Sequence, residues 1–171
     1  ETWLKESLSA QTFTLTTASA DASFRRYFRV HLEDKTLIAM DAPPPQEDCA
    51  PFVKIAKLML NAGLNVPKVL VQDLAHGFLL LSDLGDDTYL SQLNAANAQA
   101  LYGAATDALI KLQLASKANI LPNYDEALLT RELQLFPDWY VAKHLSFELN
   151  AEQQNSLKNT FDLLNKNILS Q

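Results

Sequence analysis

The side chains that most often carry covalent or metal chemistry are sparse in this sequence of 171 residues. It contains one cysteine, Cys49, and three histidines, which are His31, His76 and His144. One thiol forms neither an internal disulfide nor a zinc site built from several cysteines. Cys49 opens a predicted helix, a position that can lower a thiol pKa, but no histidine is paired with it, so a buried, neutral thiol is the favoured interpretation. The sequence therefore gives no case for a cysteine nucleophile.

The composition excludes several classes of protein. Hydrophobic residues make up 48% and charged residues 20% of the chain, which is typical of a globular protein. The formal net charge of −6 argues against a nucleic-acid-binding surface, which needs a dense basic face. No apolar run approaches the roughly 20 residues of a membrane-spanning helix, and residues 1–10 lack the pattern of a signal peptide. We therefore expect a cytoplasmic protein with no nucleic-acid or membrane partner.

The elements that must position functional side chains change in type near residue 85. Before this point, alternating or apolar runs bounded by turn residues predict five strands. These runs are Thr12–Thr16, Ser23–Val30, Thr36–Met40, Val66–Val71 and Gly77–Leu81. A helix is predicted from about Asp48 to Asn61, with Gly63 placed to end it. The apolar stripe of this helix consists of Phe52, Ile55, Ala56 and Met59. This order predicts an α+β fold in which one helix packs on a five-stranded antiparallel sheet.

In the second half of the chain, apolar residues recur mostly at the spacing of an α-helix. It is strongest over Leu101–Leu112 and Leu157–Ile168, and Asn150 with Gln153 forms a capping box ahead of the second of these helices. A short acidic segment, Ser82–Asp87, joins the two regimes. The predicted organisation is therefore a sheet-containing part over residues 1–81, a joint over 82–87 and a helical part over 88–171.

Three runs of sequence, Asp21–Arg29, Ile38–Pro44 and Gly77–Asp86, resemble one enzyme family. They are similar to bacterial cell-wall-recycling kinases, which phosphorylate N-acetylmuramate and N-acetylglucosamine at the anomeric hydroxyl. These kinases belong to the group that contains the aminoglycoside phosphotransferases and choline kinase. Each run alone is a weak signal, but the three occur in the family's order. The resemblance extends to Val66–Leu70, Arg131–Leu133 and Pro137–Tyr140.

The resemblance implies the two-lobe architecture of protein kinases. Residues 1–81 correspond to the amino-terminal lobe, 82–87 to the hinge and 88–171 to a partial helical carboxy-terminal lobe. In that architecture ATP lies between the lobes and is held at the hinge, with Mg²⁺ as cofactor. The resemblance covers only the amino-terminal half of the proteins in this family. We therefore expect the chain, which begins at Glu1 and stops at Gln171, to be a fragment.

The resemblance places the adenine pocket at the joint. It implies that Leu81 guards the pocket, that the Ser82 carbonyl accepts a hydrogen bond from the adenine amino group, and that the Leu84 amide donates to the ring. Asp83 lies between these two contacts and is assigned to the same site. Because only backbone atoms of Ser82 take part, its side chain is expected to be dispensable for adenine binding. The alternative is a strand end followed by a polar turn.

The resemblance also makes the loop Ala18–Ser23 the cover of the nucleotide phosphates. Such loops usually contain glycine, so that backbone amides approach the phosphates closely. This loop has none, but its alanine and serine residues are small, and Ser23 and Arg25 are placed to contact phosphate oxygens. The alternative is a plain hairpin turn with solvated arginines.

One residue departs from the wider kinase pattern. Met40 stands at the end of the third strand, where a lysine usually pairs with the phosphates and with a helix glutamate. The Met40–Asp41 pair itself resembles the sugar kinases, so Met40 is still assigned to the nucleotide site. Glu47 and Asp48 lie upstream of the glutamate's place, and the usual ion pair is therefore missing or rebuilt. The candidates for neutralising the phosphates are Arg25, Arg26 and Mg²⁺.

Catalytic and metal-binding residues of the family are not found in this chain. The family uses an aspartate base in a His-x-Asp loop, an asparagine five residues after it and a later metal-binding aspartate. None of the three histidines begins His-x-Asp, and in the family these motifs follow the helix that here is predicted to end near Leu169. The resemblance implies metal ligands beyond residue 171 and an inactive fragment.

The helical half contains candidates for the sugar site. Trp139 and Tyr140 are assigned to it with Glu132, because aromatic faces stack on sugar rings, and core packing is the favoured alternative for the two aromatic residues. Apolar stripes without a partner predict self-association of the fragment. Two other functions compete with the amino-sugar kinase. They are a non-catalytic kinase-like binding or regulatory module, and a phosphotransferase for an aminoglycoside or choline-like acceptor.

Overall fold

The computed structural model describes residues 1–9, 12–20 and 23–170. The chain divides into two compact units, Glu1–Ser116 and Lys117–Gln171. The joint at residues 82–87 lies inside the first unit, so the division into lobes at that point stays a prediction. Among the described residues, no helix combines the length and the apolar character needed to cross a lipid bilayer.

Within the described residues, five strands form one antiparallel sheet in the order β1-β2-β3-β5-β4. The strands are β1 (Thr14–Ala20), β2 (Arg26–His31), β3 (Thr36–Asp41), β4 (Val69–Asp73) and β5 (Phe78–Ser82). The α+β fold and the antiparallel sheet are thereby confirmed. β2 begins at Arg26 rather than Ser23, because the Ser23 hydroxyl accepts a hydrogen bond from the Arg25 amide at 3.2 Å. This local turn competes with strand pairing.

Both faces of the sheet are covered by apolar packing. On one face, Leu4 of helix α1 (Thr2–Ser7) packs with a cluster that includes Val30 and Leu80. On the other face, Phe52 and Val53 of helix α2 (Ala50–Asn61) pack against a second cluster. The buried members of this second cluster are Met40, Ala42, Cys49, Leu79 and Leu81. Burial of each large apolar side chain contributes about 1.5–3 kcal/mol, so the sheet is a stable platform for the segments at its edges.

Helix α2 packs through the stripe that the sequence predicts. Ala56 is buried, and the other three stripe residues are partly buried. The helix begins at Ala50 rather than Asp48, because the Asp48 carboxylate accepts a hydrogen bond from the Ala50 amide at 2.8 Å. Its end has the expected glycine: Gly63 has a φ of 77°, and the Leu64 amide donates to the Met59 carbonyl at 3.1 Å. This pair of features is a Schellman motif.

Gly77 joins the start of β5 to the residue that follows β3. Its carbonyl accepts a hydrogen bond from the Ala42 amide at 2.9 Å, and its φ is 75°. A Cβ atom at this position would lie 1.9 Å from the Ala42 carbonyl oxygen, which is closer than two such atoms can approach. Glycine is therefore required here, and its contact anchors the segment of residues 42–49 that connects β3 to α2.

Helices dominate the rest of the described chain. They are α3 (Tyr89–Gln92), α4 (Ala98–Ala115), α5 (Glu126–Leu135), a π-helix (Phe136–His144) and α6 (Ala151–Leu169). The capping box predicted for Asn150 and Gln153 is confirmed at the start of α6. In the second unit, α5 contacts both the π-helix and α6, and Leu129 and Val141 are buried.

Candidate functional site

An arginine of β2 holds the acidic joint against the sheet. The strand register aligns Arg29 with Leu81 across β3, immediately before the joint. The Arg29 guanidinium donates to Asp83 from Nε to Oδ2 at 2.6 Å and from Nη2 to Oδ1 at 3.3 Å. Its remaining nitrogen, Nη1, donates to Asp86 Oδ2 at 2.6 Å. We call Arg29, Asp83 and Asp86 the joint cluster.

The joint cluster keeps its groups charged. The Asp83 side chain is 6% exposed, and the hydrogen bond from Arg29, assisted by the Gly85 amide and the Thr36 hydroxyl, lowers the pKa of Asp83 to about 2. The hydrogen bonds to Asp83 and Asp86 in turn raise the pKa of Arg29. The Asp83 carboxylate is therefore bonded within the joint. The assignment of Asp83 to the nucleotide site concerns its backbone atoms and stays a prediction.

Ser82 and Leu84 flank Asp83 and differ in how they are used. The Ser82 amide donates to the Lys68 carbonyl at 2.9 Å, and the Ser82 hydroxyl accepts from the Lys68 amide at 2.8 Å. The Ser82 side chain therefore has a structural contact, because it completes the pairing of β5 with the residue before β4. That it is dispensable for adenine binding stays a prediction. Leu84 is 53% exposed, and no hydrogen bond between described residues uses its amide.

Leu81 and Met40 lie beneath the joint in the core. Leu81 is 3% exposed and Met40 is 1% exposed, and both belong to the cluster that α2 covers. Leu81 is a packing residue in this structure, and its role at a nucleotide pocket stays a prediction. Met40 is a packing residue in this structure, and contact between its side chain and a nucleotide stays a prediction.

A second ion pair lies at the start of β2. Arg25 Nε donates to Glu47 Oε2 at 2.9 Å, and the Phe24 amide donates to Glu47 Oε1 at 3.2 Å. Burial acts to lower the pKa of Arg25, but the hydrogen bond and the charge of Glu47 outweigh it, and the pKa is raised. We call Ser23, Phe24, Arg25 and Glu47 the loop cluster. It brings two predicted phosphate-binding residues, Ser23 and Arg25, together.

The predicted phosphate loop Ala18–Ser23 is only partly described. Its first residues, Ala18–Ala20, extend β1, and a register shift between Thr17 and Ser19 marks a bulge in that strand. Asp21 and Ala22 lie outside the described residues. The role of this loop stays a prediction.

Glu47 is the functional candidate whose role the sequence did not assign. Its pairing with Arg25 brings together a cation and a carboxylate, the two charges that a strand lysine and a helix glutamate usually supply. The neighbouring Arg26 pairs with Asp41 instead. The signal available in the sequence was the pair Glu47–Asp48 between the prolines and α2, but a contact between residues 22 positions apart is not readable from spacing.

The predicted sugar-site residues lie in the second unit. Trp139 is 65% exposed and Tyr140 is 50% exposed, so the favoured interpretation of core packing is wrong for both. Each turn of the π-helix places one ring above the next, and Tyr140 stacks between Phe136 and His144 with ring centroids 5.5 Å away on each side. Glu132 accepts a hydrogen bond from the Tyr124 hydroxyl at 2.5 Å.

A cavity of about 620 Å³ opens beside the π-helix within this unit. Asp138 and Gln134 line it, together with Lys158 and Asp162 of α6. The Asn165 side chain also lines the cavity. It is 5% exposed, and its Oδ1 atom has no hydrogen-bond partner among the described residues.

The other reactive side chains, a thiol and two imidazoles, are either buried or hydrogen-bonded within the protein. Cys49 is 2% exposed, and burial raises the pKa of its thiol despite the nearby charge of Arg25, which confirms the buried, neutral thiol. His76 bonds Asp73 in a turn, and His31 bonds the Thr16 hydroxyl. Among the described residues, no three His, Cys, Asp or Glu side chains converge to hold a metal ion.

The five-stranded sheet and the helices that follow it are consistent with the family that the sequence matches. The phosphotransferase enzyme family matches residues 14–171, and the chain belongs to this family. Among curated relatives, N-acetylmuramate/N-acetylglucosamine kinase from Pseudomonas aeruginosa is 58% identical over 90% of this chain and 46% of its own length. The kinases of the same name from Pseudomonas putida and Neisseria meningitidis are 48% and 40% identical, over 92% and 99% of this chain.

The match to these relatives is confined to part of each of them. The chain covers 46% of the Pseudomonas putida kinase and 52% of the Neisseria meningitidis kinase. The chain therefore spans about half the length of the curated relatives it matches.

Proposed function

We propose that this chain is the nucleotide-binding part of an ATP-dependent kinase that phosphorylates the anomeric hydroxyl of N-acetylmuramate or N-acetylglucosamine. The observation that carries the proposal is the identity of 58% to a relative that bears this name. The family, the sheet and the joint support the phosphotransferase class independently of that name.

Adenine binds at the joint in this proposal. The Ser82 carbonyl accepts from the adenine amino group and the Leu84 amide donates to the ring, while Leu81 closes the inner end of the pocket. The exposure of Leu84 and the absence of a described partner for its amide support this role. The joint cluster holds the Asp83 backbone in place between the two contacts.

The phosphates of ATP lie toward the loop cluster, near Ser23 and Arg25. When bound, Mg²⁺ neutralises phosphate charge, and the ligands for it come from outside the described residues, which hold no suitable cluster. The exposed rings of Trp139 and Tyr140 and the carboxylate of Glu132 are available to a sugar. This assignment of the acceptor site rests on the family resemblance.

A kinase assay on two chains tests this proposal. ADP release is measured with ATP and either amino sugar, for the protein encoded by its complete gene and for the 171-residue chain. We expect acceptor-dependent turnover by the first. None is expected from the second, because it lacks a His-x-Asp base. Turnover by the 171-residue chain would show that the catalytic groups have been misplaced.

Two further outcomes distinguish the competing functions. If the complete protein releases ADP with an aminoglycoside or choline and not with an amino sugar, the acceptor assignment is wrong and the phosphotransferase class survives. If it binds ATP but transfers to none of these acceptors, a non-catalytic binding module is the better account. Size-exclusion chromatography of the 171-residue chain alongside the assay measures the predicted self-association.

A further inference from the structure

The third strand provides no cation for nucleotide phosphates. Met40 stands where a lysine is usual, is 1% exposed, and is packed among Leu79, Leu81 and Cys49. A methionine side chain carries no charge, and this one does not reach solvent. The positive charge that faces the phosphates must therefore come from another element.

We infer that Glu47 is a positioning residue that holds Arg25 toward the nucleotide phosphates, so that the two together replace the missing lysine and glutamate pair. This inference rests on the proposed nucleotide site at the joint. Glu47 itself touches no ligand in this account and acts through the guanidinium that it holds.

The geometry of the loop cluster is suited to this role. The two carboxylate oxygens of Glu47 bind different groups, one the Phe24 amide and the other Arg25 Nε, so the backbone and the side chain are fixed together. The contact with Glu47 uses Nε, and the Tyr27 side chain also interacts with this guanidinium. A guanidinium has five N–H donors, so donors remain beyond these contacts. Within the described residues, no other carboxylate pairs with Arg25. A planar fork of donors matches phosphate oxygens well.

Exposure separates the two partners. The Glu47 side chain is 12% exposed, whereas the Arg25 side chain is 30% exposed. The carboxylate is therefore enclosed, and the cation reaches the surface. The neighbouring cation, Arg26, is on the alternate side of the chain and is paired with Asp41.

The spacing along β2 fits a nucleotide whose adenine lies at the joint. Arg29 binds the joint, and Arg25 lies four positions before it, just ahead of the first residue of β2, so at most about 13 Å of backbone separates them. A triphosphate that leaves the joint along β2 runs toward Arg25. These two arginines thus mark the two ends of the proposed ligand.

The segment that carries Glu47 is itself anchored. The Ala42 amide is bound to the Gly77 carbonyl at 2.9 Å, and the Glu47 amide donates to the Pro43 carbonyl at 3.2 Å. Both contacts are made within the protein. They hold the segment that carries the carboxylate, which reduces the ordering that nucleotide binding requires.

The test compares ATP with adenosine, because only ATP carries the phosphates. Affinities are measured by calorimetry on the protein encoded by its complete gene, for wild type, Glu47→Gln, Arg25→Ala and the double variant. We expect Glu47→Gln to weaken ATP binding by about tenfold, the loss typical of one charge-assisted hydrogen bond. Adenosine binding is expected to stay unchanged, and the double variant to lose no more than Arg25→Ala alone.

Glu33→Gln is the matched control, because Glu33 is an exposed glutamate in the turn between β2 and β3. It is expected to leave both affinities unchanged. If Glu47→Gln weakened the affinities for ATP and adenosine equally, Glu47 would have a purely structural role and the inference would be overturned. Losses of ATP affinity that add up in the double variant would also overturn it. If wild type binds neither ligand, the proposed nucleotide site fails first, and that failure is distinct from a Glu47 effect.

Discussion

Two arginines four positions apart on the same strand region are used in different ways. Arg29 donates from three nitrogens to Asp83 and Asp86, and its side chain is 15% exposed. Arg25 donates from Nε to a single carboxylate, that of Glu47, and is 30% exposed. All three nitrogens of the first arginine bond carboxylates of the joint, whereas the second bonds one carboxylate through Nε, interacts with Tyr27 and keeps donors that a ligand can use.

The difference shows how one residue type supports two tasks in one sheet. A guanidinium bonded through all three nitrogens fixes a loop, because each of its bonds adds a constraint on the joint. A guanidinium held at one edge is oriented but still has binding capacity. Mutations at the joint cluster and at the loop cluster should therefore have separable effects, the first on structure and the second on ligand binding.

Gly77→Ala is expected to have the largest effect on the unfolding free energy. The new Cβ would lie 1.9 Å from the Ala42 carbonyl oxygen, at a backbone φ of 75° that disfavours alanine. We expect a loss of about 3 kcal/mol or more, measured by urea unfolding. Because Ala42 begins the segment that carries Glu47, the loop cluster should be disturbed before the joint cluster.

Gly63→Ala is the control for Gly77→Ala. Gly63 also has a positive φ, but a Cβ there meets no atom within 4 Å. It should therefore cost only the backbone strain, about 1 kcal/mol. Equal losses for the two variants would show that the contact with Ala42 does not constrain the fold.

Asp83→Ala is expected to destabilise the chain by about 2–3 kcal/mol. The substitution removes the main partner of Arg29 and the acceptor of the Gly85 amide, and bonds to charged groups are worth more than neutral ones. Asp86→Ala is the matched control, since the Asp86 side chain is 76% exposed and should contribute less than about 1 kcal/mol. Similar losses for both would mean that burial does not distinguish the two carboxylates.

The joint cluster also predicts a dependence of stability on pH. The pKa of Asp83 is lowered to about 2 in the folded chain, whereas the pKa of an aspartate in the unfolded chain is about 3.9. The stabilisation by Asp83 is present above that unfolded value and is lost as the pH falls through about 2. Urea unfolding between pH about 5 and about 2 should show this loss in wild type and a smaller one in Asp83→Asn. A loss of equal size in both would remove Asp83 as its source.

The sheet was predictable because its signals are local. Alternating apolar residues, the stripe of α2 and the glycine after it are each readable within a dozen residues, and all three agree with the structure. Antiparallel strands with short connections leave few other arrangements. The element boundaries differ by a few residues where a side chain bonds the nearby backbone, as at Ser23 and Asp48.

The contacts of the candidate site were less predictable because they join distant positions. Arg29 and Asp83 are 54 residues apart, and Arg25 and Glu47 are 22 apart. Spacing identifies the groups but not their partners, so the sequence left open how the lysine and glutamate pair was replaced. The sequence also did not indicate a contact for the Ser82 side chain, because the hydrogen bond from the Lys68 amide depends on how β5 pairs with the segment before β4.

The exposed aromatic residues of the π-helix illustrate another limit. Trp139 and Tyr140 belong to residue types that are usually buried, and composition therefore favoured core packing. The π-helix instead places Tyr140 in a stack with Phe136 and His144 at the surface of the second unit. Exposure depends on the packing of α5 against this segment and not on the residue type alone.

The central claim is that backbone atoms of the joint bind adenine, and titration of Leu84→Pro with ADP tests it most directly. The measurement is calorimetry on the protein encoded by its complete gene, with Leu84→Ala as the control that keeps the amide. Leu84 is exposed, so neither change should disturb the core, and thermal unfolding checks that both variants remain folded. We predict that Leu84→Ala binds ADP like wild type and that Leu84→Pro, which has no amide hydrogen to donate, loses binding. Equal affinities for wild type and a folded Leu84→Pro would contradict the account.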